Sequence, residues 1–457
     1  MSLLLRHLSH VVTFDGEDRE LRDADILVEN GVVVAVGQDL PADNVGRVID
    51  GTGLLALPGL INAHQHLYQG ALRCLPEIQR AAIVPWLAGL GATGMKWWND
   101  GQWTVEMIRR VSRAVLTESL LGGVTTTADQ YYFFPGGRTE PYIEASIEAA
   151  SEVGVRLHAG RGSMTLGRAN GGTASDFTVQ TVEEVLRHSV ELIEKYHDPN
   201  PLAKVRVMLA PCGVSVDAPA LFEEMAELAA SYEGVRLHTH LYEKFDAQAC
   251  QSMYGMTPWQ FLVEHGWAGS RTWIAHVVDP PEVEIAAFAE TGVGIAHLAA
   301  PDLRMGWGVA PIRRYLDAGV KVGFGTTGSA SNDGSNLLGD LRVAALAHRP
   351  AIAEPNQWPS ARELLGMATR GSAICLGRPD LGVIAPGMAA DIACWDLRTV
   401  DRIGVHDPVE GLLMTGLSNI ASLVLVAGEV LVEDGHPTRL DPDAVARAAR
   451  EVIPAYF

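Results

Sequence analysis

The sequence predicts an α/β protein, a (β/α)8 barrel of the TIM type with a small β-sandwich built from both chain ends. Three observations predict it. Between Leu57 and about Pro386 short buried-strand patterns alternate with longer helical ones, as in VRLHAG, TVEEVLRHSVELIEKYH and KVRVMLAP, the texture of a parallel sheet covered by helices. Eight such strand segments can be counted there, the number that closes a barrel. Outside that stretch the apolar runs are short, β-branched and bounded by Gly and Asp, as antiparallel strands are.

The barrel strands are expected at PGLINAH from Pro58, GVTTTAD from Gly123, VRLHAG from Val155 and VRVMLAP from Val205. They continue with VRLHTH from Val235, TWIAH from Thr272, VGIAH from Val293 and VKVGFGT from Val320. Before them lie HVVTF, DILVEN and GVVVAVG, and after them ADIACWDL, ASLVLVAGEVLVEDG and an Ala- and Arg-rich helix near Asp443. Residues 1–57 and 387–457 are therefore expected to pair as one composite accessory β-domain beside a barrel of residues 58–386.

Composition narrows the function. With 47% hydrophobic and 20% charged residues among 457, the chain reads as folded rather than disordered or low-complexity. Its 55 acidic against 35 basic residues, a formal charge of -20, oppose binding to nucleic acid or to an anionic membrane. The longest uncharged apolar stretch, residues 81–95, is shorter than a membrane span and is interrupted by Pro85, Gly89, Gly91 and Gly94. Three leucines between Ser2 and Arg6 make too short a run for a secretory signal, so the cytoplasm is the expected compartment. Five scattered cysteines without a CxxC pair indicate neither a disulfide framework nor a thiolate zinc site.

The chemistry is carried by histidine. Seven of the fifteen histidines (His64, His66, His158, His238, His240, His276 and His297) fall in or at the C-terminal ends of expected strands, where this barrel type carries its active site. His158, His238 and His297 read as core histidines satisfied by backbone carbonyls. His64 and His66, two residues apart on a strand, face the same way and can share one metal ion. His240 ends the fifth strand as a third ligand, and Glu243 follows three residues later as a base, although a solvated loop glutamate pairing with Lys244 or Arg236 has the same sequence signature. His276, ending the sixth strand, is placed to hold the attacking water or to polarise a substrate atom. Three neutral imidazoles with an open position describe a catalytic zinc site. Asp302 and Asp333 read as structural carboxylates.

The segments LPGLINAHQHLYQGALR, LLGGVTTTADQ, RLHTHLYE, WIAH, GFGTTGSASNDGSNLLGDLR and GMAADIACWD together resemble the amidohydrolase superfamily over nearly the whole chain. The likeness is to the zinc-dependent branch of cytosine, guanine and 8-oxoguanine deaminases and s-triazine hydrolases, and most of all to the triazine hydrolases. The resemblance implies zinc ligands at His64, His66 and His240, proton transfer by Glu243, a polarising His276 and a homodimer. Thr327 stands where that branch carries a metal-binding aspartate, and it is counted with the metal site. A threonine hydroxyl is neutral and too weak a base for the aspartate's proton transfer, so Glu243 must carry most of it. Lys204 lies at the start of the fourth strand, where it cannot serve as a bridging carboxylated lysine, and one zinc ion per chain is expected. Gln69, Trp86 and Gln130 are the expected substrate contacts, two amides for ring nitrogens and an indole to stack on a flat ring. The favoured substrate is a chloro- or methylthio-s-triazine, whose leaving group departs as an anion, and the alternative is a purine or pterin deaminase. A catalytically silent binding protein of the same fold would have no reason to keep all five site residues.

Overall fold

The structure, a computed structural model, describes residues 2–415 and 419–454. Eight parallel strands follow one another around the barrel in chain order: Leu60–Gln65, Val124–Tyr131, Arg156–Arg161, Val205–Leu209, Arg236–Leu241, Thr272–His276, Gly294–His297 and Lys321–Phe324. Each stands where the sequence places it. The strands are buried on both faces, which is why they read as short apolar runs without clean alternation. Several connecting helices are capped by a side chain, among them Val105–Leu121 by Thr104 and Val182–Tyr196 by Thr181. In Val182–Tyr196, Val185, His188, Ser189, Leu192 and Ile193 form the buried stripe, and the Thr181 hydroxyl accepts one of the free N–H groups of the first turn, from Glu184.

The last strand meets the first through a polar seam. Asn62 Nδ2 donates to Thr326 Oγ1 at 2.9 Å, and Thr326 N donates back to Asn62 Oδ1 at 3.1 Å. Thr327 N donates to the His64 carbonyl at 2.9 Å. The approach is close enough that a Cβ on Gly325 would lie 2.9 Å from the His64 amide nitrogen, so only glycine fits there. The seam thus ties the end of the eighth strand to the histidine pair on the first.

Outside the barrel, strands from both chain ends share one seven-stranded sheet. Leu54–Pro58 pairs antiparallel with Ile392–Asp396, which pairs in turn with Leu423–Val426. A second, four-stranded sheet is N-terminal throughout, with Ser2–Leu8 between Ala24–Glu29 and Arg47–Asp50 and with Val32–Gly37 at one edge. Side chains of both sheets, among them Leu5, Val11, Ile26, Ala56, Ile392 and Leu425, close one apolar cluster between them. The terminal helix Pro442–Val452 is capped by Asp441 and docks on the barrel helix Val105–Leu121, where Arg110 reaches Glu451 at 2.8 Å. All five cysteines are free, and among the described residues no helix is long and apolar enough to cross a membrane.

A buried ion pair joins barrel and sandwich. Arg156, on the third barrel strand, is fully buried and donates from Nε and one terminal nitrogen to the two oxygens of Asp391 at 2.7 and 2.9 Å. Asp391 Oδ1 also accepts from Ala427 N, and its carbonyl accepts from Gly59 N, each at 2.8 Å. Removing the carboxylate strands a guanidinium away from water. Asp391→Ala is expected to cost about 3–5 kcal/mol of stability, read as a lower urea midpoint at unchanged slope. A loss below about 1 kcal/mol would show that water or backbone carbonyls satisfy Arg156 unaided.

Candidate active site

The barrel geometry brings four strand-end histidines together. His64 and His66 leave the first strand, His240 the fifth and His276 the sixth. The His64 ring stands edge-on to those of His66 and His240, with centroids 4.7 and 4.8 Å apart, and His66 Nε2 lies 3.2 Å from His240 Nε2. Candidate ligand atoms of His64, His66 and His240 all fall within 4.8 Å of one another, and so do those of His240, Glu243 and His276.

Hydrogen bonding decides where the protons of the first three rings sit. His66 Nδ1 contacts the Gln130 carbonyl at 2.8 Å and His240 Nδ1 the Cys212 carbonyl at 2.6 Å; a carbonyl only accepts, so both Nδ1 atoms carry hydrogen and both Nε2 atoms carry lone pairs. His238 Nδ1 donates to the Trp273 carbonyl at 2.9 Å, which leaves His238 Nε2 to accept from His64 Nδ1 at 2.8 Å. His64 Nε2 is then a third lone pair, buried and without a hydrogen-bond partner. Burial, reinforced by the neighbouring imidazoles, holds His64 and His66 well below the usual histidine pKa, and burial followed by His276 brings His240 down to about 3. Three neutral imidazoles therefore aim lone pairs at one point, an arrangement that repels itself unless a cation occupies that point. Two Zn–N bonds of about 2.0–2.1 Å at a tetrahedral angle place their nitrogens roughly 3.3 Å apart, which the His66 to His240 separation matches. The residues fit a zinc ion.

Beside this point lies the acid-base apparatus. His276 Nδ1 is 2.6 Å from Asp302 Oδ1, a contact that aims Nε2 toward Glu243, whose Oε1 is 3.5 Å away. Burial first, and then the charges of Asp246 and Asp302, push the Glu243 carboxyl well above the ordinary carboxylate range. The loops that carry these groups are strained. Tyr242, Lys244, His276, Val277 and Thr327 all have φ between 51° and 75°, a region that costs most for β-branched Val277 and Thr327. Backbone bonds hold them there: Tyr242 N to Asp246 Oδ2 at 2.6 Å, Val277 N to the Leu241 carbonyl at 2.9 Å, and Thr327 N to His64 across the seam.

Residues 55–431 match the amidohydrolase family. The chain belongs to that family. Among known proteins it is 36% identical over 434 residues to the 8-oxoguanine deaminase of Pseudomonas aeruginosa, covering 94% of each chain. It is 35% identical to hydroxydechloroatrazine ethylaminohydrolase of Pseudomonas sp. (strain ADP), over 97% of this chain and 93% of that one. A crystal structure of atrazine chlorohydrolase TrzN from Arthrobacter aurescens TC1 complexed with zinc matches with a TM-score of 0.98 and 59% identity, covering 99% of this chain and 100% of that one. A mutant of the same enzyme complexed with zinc and atraton matches equally well.

In this amidohydrolase a cavity opens over the histidines, and His66, His240, Glu243, His276 and Thr327 all line it. Gln69 and Trp86 line it as well. Gln69 is braced, with Nε2 donating to the Tyr132 hydroxyl at 3.1 Å and Oε1 accepting from Ala330 N at 3.2 Å. Trp86 is 4% exposed, and its indole N–H is buried without a partner. The structure does not bring the Gln130 side chain to the cavity. Its amide donates to the Ala210 and Pro211 carbonyls at 3.0 Å each, behind the wall, and its backbone carbonyl is the group that orients His66.

Sequence reasoning missed two groups. His238, read as a core histidine, does satisfy a backbone carbonyl, but its other nitrogen orients His64. The same two-residue spacing that pairs His64 with His66 also pairs His238 with His240 on RLHTH, and that signal could have found it. Asp302, read as structural, is fully buried against His276; it sits on the short helix Ala299–Arg304, and nothing in its spacing announces the contact. Asp333 clasps Cys74 N and Arg304 at 2.7 Å each and does not line the cavity.

Metal analysis of the purified protein is expected to find one equivalent of zinc, and His64→Ala or His240→Ala to abolish its retention; two equivalents, both needed for activity, would contradict the single site. His238→Phe keeps the ring packing against Trp273 but removes the acceptor for His64 Nδ1, and should weaken zinc binding about 10–100-fold in competition with a chromogenic chelator. Unchanged affinity would mean that His64 needs no orienting partner.

Proposed function

We propose that this amidohydrolase is a zinc-dependent hydrolase that displaces chloride, methylthiolate or an amine from a ring carbon of a nitrogen heteroaromatic, with an s-triazine the preferred substrate. The observation that carries the reading is the pairing of a three-imidazole site with a neutral residue, Thr327, at the end of the eighth strand, in a chain 59% identical over its full length to an atrazine chlorohydrolase. His64, His66 and His240 hold the metal through Nε2. A zinc ion bound by three imidazoles acts as a Lewis acid and makes water nucleophilic near neutral pH.

The chain's own groups do the rest. Glu243 takes a proton from the attacking water as the new C–O bond forms and delivers it to a ring nitrogen or to the leaving group as the bond to that group breaks. His276, held in place by Asp302, presents Nε2 beside that transfer. The indole N–H of Trp86 is a buried donor lacking an acceptor, and a ring nitrogen supplies one. Gln69, locked by Tyr132 and Ala330, shapes the wall next to His66. With no second carboxylate at Thr327, chloride or methylthiolate departs more readily than an amine, which needs a proton to leave.

The 36% identity to 8-oxoguanine deaminase favours amine displacement as the second reading. A substrate panel scored for chloride against ammonia release separates the two. The small-molecule substrate, the homodimer implied by resemblance and the cytoplasmic compartment that suits five free thiols belong to the same proposal; light scattering reads the oligomer.

Glu243→Gln is expected to keep zinc and lose turnover by at least ~100-fold, and a wild-type rate would move proton transfer elsewhere. Thr327→Asp adds a proton carrier and a negative charge at the metal. It should raise kcat/KM for an amino-triazine relative to its chloro counterpart. A ratio that stays put or moves toward chloride would assign leaving-group preference to the cavity walls instead.

A further inference from the structure

A second cavity adjoins the first. Leu87, Tyr132, Met164 and Val216 line both, so one layer of side chains separates them. The helix Ile83–Asn99 roofs the two in succession, presenting Trp86 to the reaction cavity and Gly91 and Met95 to the second. Leu87, Gly91 and Met95 are spaced four residues apart and therefore share one helix face. The second cavity's wall is mostly aromatic and aliphatic, with the hydroxyls of Thr173, Ser175 and Thr178 along it, and its one charged residue, Arg168, is solvent-exposed. At the partition, Leu87 and Met164 are only half-buried, and Met164 is a flexible side chain anchored by the Thr178 hydroxyl at 3.2 Å.

Gly91 keeps this space open. A Cβ built on it meets nothing within 4 Å, and its backbone is ordinary helix, so neither a close approach nor a positive φ calls for glycine. Glycine is nonetheless a costly residue inside a helix. What it leaves is volume facing the second cavity.

We propose that this cavity is a subsite for a long, uncharged substituent of the heteroaromatic substrate, an N-alkyl or N-arylalkyl chain that passes between Leu87 and Met164 while the ring stays over the histidines. The proposal rests on the reading of the reaction cavity given above. A mostly apolar wall with no buried charge favours hydrocarbon, and each further methylene removed from water is worth up to about fourfold in affinity.

The test compares two chlorotriazines that differ only in carrying an N-ethyl or an N-hexyl group. Wild-type protein should show kcat/KM at least 10-fold higher for the hexyl compound. Gly91→Phe, which fills the cavity from the roof, should erase that preference while leaving the ethyl compound within about twofold, and Gly91→Ala should retain it. Met95→Trp narrows the same space from a half-exposed position and should act like Gly91→Phe. No preference in wild-type protein overturns the subsite, and so does an equal loss for both compounds in a normally melting Gly91→Phe, which would make the cavity an access route. Calorimetric binding of the two hydroxytriazine products reads the subsite without turnover. If neither chlorotriazine releases chloride but hexyl binding remains stronger and sensitive to Gly91→Phe, the proposed reaction fails and the subsite stands.

Discussion

Everything in the site depends on the direction of three lone pairs. An imidazole is ambidextrous, and which nitrogen faces a metal is settled by what the other one meets. Here the carbonyls of Gln130 and Cys212 fix two rings directly, and the Trp273 carbonyl fixes the third through His238. All of these acceptors belong to barrel strands or to the turns just beyond them, so the ladder that holds the barrel together also selects the tautomers. Burial then keeps the rings neutral, and the metal's charge answers their mutual repulsion.

The same economy governs the seam. Asn62 spends its amide on Thr326, and Gly325 lets two backbones approach within reach of one hydrogen bond; the outcome is a β-branched residue, Thr327, held in left-handed conformation against His64. Strain of this kind persists only where surrounding contacts over-determine it. Because the backbone at this position is set by its neighbours, the side chain there can change identity without moving. Charge at the metal is thus adjustable independently of the scaffold.

Much of this was legible in the sequence, for a local reason. Short buried strands between helices leave a strong alternating texture, and the HxH pair and the His240 to Glu243 spacing obey local geometry, so all eight strands and the histidines that the fold gathers could be read off. What could not be read is what depends on distant partners. Gln130 looked like a ligand contact because it ends a strand, yet Ala210 and Pro211 capture its amide from the fourth strand. Asp302 looked structural because its partner, His276, is 26 residues away and aligned only by the turn after the seventh strand. His238 was hidden by its own burial, since a satisfied core histidine and an orienting one share a sequence signature.

The pairing of Leu54–Pro58 with Ile392–Asp396 has a bearing on how the chain reaches this state. The seam contact between Asn62 and Thr326 spans 264 residues, and the sheet pairing just outside it spans more than 330. The two closures are nested, with their ends only a few residues apart at the N-terminal side, so whichever forms first removes most of the search required of the other. Long-range contacts of this kind are slow to assemble singly. Coupled, they make barrel closure cooperative, and because His64 stands at the seam, a chain that has not closed has no assembled zinc chelate to fill. Metal uptake thereby becomes a report on complete folding.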